Sequence, residues 1–312
     1  MTTLKERIER KDIIIMDGGV STEIQRQGVA MDAGAWSGVA HKTHPDAVRK
    51  VHEDYIRAGA DVITTNTFGT ARHVLETIGL ADEVPAINQQ AVQLVREACD
   101  RAAQDQVWIA GSMSSMPSLK QMGCSARGSG VADSYREQAE ILAKSGVDVI
   151  VAEMMIDPIN APLVMQAATS TGLPVWIGFS AALANGDSKV ISWRTPTEFT
   201  AMPADDFGEL VDAIIQIGGD VAGVMHSQLP AMAPALDVLS QHWTGPKLAY
   251  AETGRFENPD WNFVQVVSAE DYADEAGRWV NQQGVQIVGG CCGTGPEHIR
   301  VLKERLPTQL SS

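Results

Sequence analysis

The segment Val285-Gln286-Ile287-Val288-Gly289-Gly290-Cys291-Cys292-Gly293-Thr294 runs from a short apolar stretch into a glycine-flanked pair of thiols. Val285 to Val288 has the composition of a β-strand. Adjacent cysteines do not readily pair, because a disulfide needs its Cα atoms farther apart than one peptide link allows. The flanking glycines let the chain turn tightly and let another group come close. Two thiols on such a turn, at the end of a strand, suit a soft metal ion or an activated sulfur.

Seven more runs of the same kind precede this one. They are Ile13 to Met16 ending in Asp17-Gly18-Gly19, Asp61 to Thr65 ending in Asn66-Thr67, and Val107 to Ala110 ending in Gly111-Ser112. Val147 to Ala152 ends in Glu153, Pro174 to Phe179 in Ser180, Val221 to Met225 in His226-Ser227, and Lys247 to Ala251 in Glu252-Thr253. The runs are almost continuously apolar, which marks strands buried on both faces of a parallel sheet. Helical patterns fill the gaps: Pro45 to Arg57, Glu83 to Ala103, Ser134 to Ser145, Pro158 to Thr171, Asp205 to Ile217, Ala231 to Gln241 and Ala269 to Gln283. Gly146 and Gly172 are fitting helix stops. Eight strand–helix units predict an α/β fold, a single (β/α)₈ TIM barrel across residues 1–312. Active sites of such barrels lie at the C-terminal strand ends, and every run here ends in a polar or sulfur-bearing residue.

Bulk composition narrows the function. The chain has 312 residues, 24 Lys plus Arg against 39 Asp plus Glu, and a net charge of −15. That balance argues against nucleic-acid or anionic-membrane partners. Four cysteines in this length do not make a disulfide scaffold. Met1 to Arg10 is charged and lacks a signal-peptide core, and no apolar run reaches membrane-spanning length. A cytoplasmic location with reduced thiols is expected. The outer barrel helices are compatible with a monomer or a homo-oligomer.

A barrel closure brings the sixth and eighth strand ends to one rim, with His226, Cys291 and Cys292 on it. Two thiols and an imidazole suit Zn²⁺, and three protein ligands leave a fourth position open, as catalytic zinc sites do. Metal coordination lowers a substrate thiol's pKa and yields a nucleophile at neutral pH. A lone histidine is more often structural, and buried thiols are often inert; position opposite the cysteine turn favours the ligand reading for His226. An apolar strand leading straight into Glu153 favours a functional carboxylate there, while Glu252 reads equally as a functional carboxylate or a solvated loop residue. Of seven tryptophans, Trp108 and Trp176 read as packing, while Trp36, then Phe68, are candidate contacts for a cationic donor. Cys99 reads as core, and Cys124 as a loop thiol that could reach the mouth.

The run Gly289 to Thr294, followed by Pro296 and His298-Ile299, resembles the signature of the homocysteine S-methyltransferase family. Other pieces agree in order: Asp17-Gly18-Gly19 with Thr22-Glu23, Trp36-Ser37, His52 and Tyr55 with Ala58-Gly59-Ala60-Asp61, Thr65-Asn66-Thr67-Phe68, and Gly146-Val147-Asp148 with Glu153. The resemblance spans roughly Ile13 to Ile299. It implies zinc-dependent methyl transfer to homocysteine, giving methionine. Cys291 and Cys292 would then ligate zinc. Asp17 and Glu153 would line the reacting site, with Glu153 on the amino group of homocysteine. Gly18, Trp36, Asn66, Phe68 and Glu252 would complete the substrate contacts.

Three departures stand out against that pattern. Met225-His226 replaces the family's Asn-Cys, whose Cys is the first zinc ligand. Glu252-Thr253-Gly254-Arg255 replaces Asn-Ala-Gly-Glu, and Ser112-Met113-Ser114-Ser115 replaces a Gly-Pro turn. A His-Cys-Cys zinc site is neutral, where three thiolates would leave −1, so an acceptor thiolate would form more easily but be less electron-rich. The expected partners are a small thiol and a methyl donor. By analogy of chain size, the donor is a small sulfonium, S-methylmethionine or S-adenosylmethionine. A second reading is a methyltransferase or demethylase acting with betaine, another methylated donor, or a corrinoid or folate partner protein. A third is a non-catalytic metal or thiol sensor.

Overall fold

A computed structural model describes residues 2–116, 130–184, 189–192, 206–257 and 262–310. Cys124, and Asp205 at the expected start of one helix, lie outside the described residues. Eight parallel strands form one sheet: β1 (Ile14–Ile15), β2 (Val62–Thr64), β3 (Trp108–Ser114), β4 (Val149–Met155), β5 (Val175–Phe179), β6 (Val221–Gln228), β7 (Lys247–Glu252) and β8 (Val285–Gly290). Each neighbours the next, β8 pairs with β1, and a parallel bridge between Met16 and Val62 joins the remaining edges. This is the expected (β/α)₈ barrel.

Strand alternation separates two cores. Ile14, Met16, Val62, Trp108, Ala110, Val149, Val151, Trp176, Val221, Leu248 and Ile287 fill the barrel interior. Their neighbours Ile63, Ile109, Ile150, Ile177, Ala222 and Val288 pack outward under the helices. That is the layered interior of a closed barrel with a period of two along each strand. At the base, Leu4 and Ile8 of the helix Leu4–Glu9 pack against the interior cluster. Cys99 packs partly buried against the outer core, and Cys99, Cys291 and Cys292 are free thiols. No described helix is long and apolar enough to cross a membrane.

Local chemistry sets the helix ends. Pro45–Arg57 begins on proline, whose missing N–H costs nothing at that position. Ala269–Gln283 starts behind Ser268, which accepts from Asp271 N, and stops at Gly284 with φ 66°. Polar strand ends behave differently from the sequence expectation. Ser112, Glu153 and His226 are not past their strands but inside them. The parity of Trp108 and Ala110 sends Ser112 inward, and that of Val149 and Val151 sends Glu153 inward.

Candidate active site

His226 gains its inward direction from a backbone irregularity. The β6–β7 register shifts between Met225 and Gln228, and His226 has φ 48°. A bulge of this kind adds a residue and re-aims a side chain. Met225 and His226 therefore both face the barrel axis, although they are adjacent. A second register shift, between Ala152 and Met155, has Met154 at φ 55° and sits beside Glu153. Positive φ on residues other than glycine is sparse in proteins and clusters at functional sites.

The two bulges bring three strands together. His226 Nδ1 lies 2.8 Å from Cys291 Sγ, and His226 Nε2 lies 2.6 Å from Glu153 Oε2. Ser112 Oγ donates to the other oxygen, Glu153 Oε1, at 2.5 Å. Cys292 Sγ is 3.6 Å from Cys291 Sγ. Nε2 faces a carboxylate, so that nitrogen donates to Glu153, and Nδ1 faces the thiol. Burial raises the Cys291 thiol well above its ordinary value, and the adjacent Cys292 and Glu252 add to the rise.

The turn that carries the thiols has no room for larger residues. A Cβ on Gly290 would stand 2.3 Å from Thr294 Oγ1, and one on Gly18 would stand 2.2 Å from Thr294 O. Tyr55 OH donates to Thr294 O at 2.8 Å, and Tyr250 OH donates to Gly18 O at 2.9 Å. Gly18, expected to contact substrate, packs closely against the cysteine turn. Asp17 is fully buried and accepts from Thr64 N at 2.7 Å and Thr64 Oγ1 at 2.6 Å. Burial pushes its carboxyl up to about 8; the Thr64 hydrogen bonds oppose that rise and the Glu153 charge reinforces it.

The remaining expected residues ring the same opening. Trp36 and Phe68 meet edge to face at 5.3 Å, and Phe68 lies 5.5 Å from the His226 ring. Asn66 is tied down: its Oδ1 accepts from Ser37 Oγ at 2.6 Å and its Nδ2 donates to Ser37 O at 3.0 Å. Glu252 ends β7; burial pushes its carboxyl up to about 7, against the opposing influence of His226. Among the described residues, no hydrogen bond or ion pair engages the Glu252 carboxylate. Sequence reasoning missed Tyr250, Tyr55 and Thr64 as site-shaping groups. The inward parity of Tyr250 with Leu248 was the available signal for one of them.

A family model described as homocysteine S-methyltransferase matches residues 14–306. Betaine–homocysteine S-methyltransferase 1 of Danio rerio is 28% identical over 327 residues, covering 97% of this chain and 75% of that protein. Methionine synthase of Mycobacterium leprae is 24% identical over 96% of this chain but only 24% of its own length. The metallated homocysteine methyltransferase MmuM from Escherichia coli superposes with a TM-score of 0.75 at 21% identity, covering 97% of this chain and 99% of that one.

Proposed function

The chain belongs to the homocysteine S-methyltransferase family and is a methyltransferase; from that premise we propose that it moves a methyl group from a small sulfonium donor to homocysteine or a close relative, with zinc held by His226, Cys291 and Cys292. The observation that carries this reading is the convergence of an imidazole and two thiols at the barrel mouth, 2.8 Å and 3.6 Å apart in sequence along the rim. The acceptor sulfur takes the methyl carbon as the donor's carbon–sulfur bond breaks, and the donor leaves as a neutral thioether.

The donor set fits zinc. Ligand bonds of about 2.3 Å to sulfur put tetrahedral sulfurs about 3.8 Å apart, near the thiol–thiol spacing here. Among the described residues no group of three or more His, Cys, Asp or Glu is drawn into ligand geometry, and His226 Nδ1 contacts the Cys291 thiol. Metal binding at cysteine replaces the thiol proton. Zinc bound there would lower the pKa of an acceptor thiol and so supply a thiolate at neutral pH.

The chain's own residues orient the two substrates. Trp36 and Phe68 offer aromatic faces and edges beside His226, which suits a positively charged donor. Both Glu153 oxygens already accept hydrogen bonds from His226 and Ser112. Glu252 has no such engagement and lies on the same rim, so it is the better place for the acceptor's ammonium group.

Metal analysis of protein purified without chelators, with methionine formation assayed from S-methylmethionine, S-adenosylmethionine and betaine, tests the proposal. About one zinc per chain is expected, with turnover from a sulfonium donor. Metal-free protein that methylates no thiol would overturn it. A second reading, with betaine as donor, is favoured by the names of the curated relatives; turnover from betaine alone would select it.

A further inference from the structure

We infer that Ser112 and Glu153 are positioning residues for the metal site: Glu153 fixes the His226 ring so that Nδ1 is the atom presented to zinc, and Ser112 fixes Glu153. This rests on the reading that His226, Cys291 and Cys292 hold zinc.

The geometry is a relay across three strands. Ser112 on β3 donates to Glu153 Oε1 at 2.5 Å, and Glu153 Oε2 accepts from His226 Nε2 at 2.6 Å. The far ring nitrogen then faces the thiols. Side chains of His226 and Glu153 are only 12% and 6% exposed, so water competes little for these bonds. Ser112 is itself immobilised, since its N donates to Thr65 Oγ1 at 3.1 Å and its O accepts from Thr67 Oγ1 at 2.7 Å. Strands β3 and β4 are hydrogen-bonded neighbours in fixed register, with Ser112 opposite Val151 and Ser114 opposite Glu153.

A thiolate ligand has no second end to hold. An imidazole does, and a partner on its other nitrogen sets both its tautomer and its ring angle. His226 is such a ligand here: Glu153 takes its far nitrogen, and Ser112 holds the other Glu153 oxygen.

Zinc affinity measured by competition with a chromophoric chelator, and absorption spectra of the Co²⁺-loaded protein, test the inference. Glu153→Ala should weaken zinc binding about 10–100-fold and shift the cobalt bands. Glu153→Gln, which keeps an acceptor oxygen, should restore part of that loss, and Ser112→Ala should weaken binding by a smaller factor. In a His226→Cys background, Glu153→Ala should leave zinc affinity and cobalt bands unchanged. Equal losses in both backgrounds, or no loss in either, would overturn the inference while leaving the zinc reading standing. Wild-type protein that binds no zinc would overturn both, and shows itself before any substitution is made. If Glu153→Ala does not fold, the Ser112→Ala and Glu153→Gln arms decide on the same criterion.

Discussion

Glu252 is near its titration midpoint at neutral pH, because burial pushes its carboxyl up to about 7. A carboxylate must be ionised to pair with an ammonium group, so acceptor binding should tighten as pH rises through about 7. Glu252→Gln should raise KM for homocysteine about 10–100-fold, the worth of a charged hydrogen bond, and abolish that pH dependence. Initial rates against homocysteine across neutral pH would show it; an unchanged KM would return the ammonium to another group. Asp17 has the opposite consequence for stability. Its folded value of about 8 lies above the ordinary 3.8, so the folded state binds more protons than the unfolded state between those values. Stability therefore falls as pH climbs through that window. Asp17→Asn keeps an acceptor oxygen for Thr64 and removes the ionisable group. Urea unfolding at about pH 5 and about pH 9 should show a smaller loss of stability in the variant than in the wild type.

At the scale of elements, three strands begin with the same device. Asp61 Oδ2 accepts from Ile15 N, Asp148 Oδ2 from Ile109 N, and Asp220 Oδ2 from Val175 N, at 2.9, 2.8 and 2.9 Å. In each pair the aspartate's own N–H returns to the partner's carbonyl. These carboxylates tie β2 to β1, β4 to β3 and β6 to β5 at the barrel base, opposite the thiols. The sequence shows two of the three as Ala58-Gly59-Ala60-Asp61 and Gly146-Val147-Asp148, pieces of the family resemblance that build the scaffold. Asp148→Ala would remove the acceptor of the part-buried Ile109 N–H and cost about 1 kcal/mol, with zinc content and KM unchanged; denaturant melts alongside metal analysis would check this. Element positions were legible where local chemistry decides them, as at Pro45, Ser268 and Gly284. Strand ends were not, because Ser112, Glu153 and His226 look like terminators when polarity is read as an end; in a barrel mouth, polar residues face inward while still paired. The site's residue types were legible for the same reason that its geometry was not. His226 at φ 48° carries no mark in the sequence, since only a glycine or asparagine would advertise a left-handed residue.

Across the whole molecule, chemistry and stability occupy opposite ends of one barrel. The mouth carries strained backbone, buried carboxylates and thiols, each costly to the fold. Apolar side chains close the base, and Arg7 spans it beside the Arg10–Asp12 and Lys303–Asp61 pairs. Arg7 reaches Asp61 Oδ1 at 3.0 Å and Asp12 Oδ2 at 3.3 Å, donates to Ile13 O at 3.1 Å, and lies 5.5 Å from the centroid of the Trp108 ring. It joins the N-terminal helix to β1, β2 and β3 at once, and its side chain is 18% exposed, so its bonds are partly shielded from water. Arg7→Ala would strip the acceptors on Asp61 and Ile13 of a donor and uncover the indole. A loss of about 2–3 kcal/mol is expected, a fall of about 4–10 °C in Tm for a chain of this size. Because no contact of Arg7 reaches the mouth, kcat/KM and zinc affinity below the melting transition should match the wild type. A loss of activity in the folded variant would mean that base and mouth are mechanically coupled through the strands, and that the barrel does not divide its labour between its two ends.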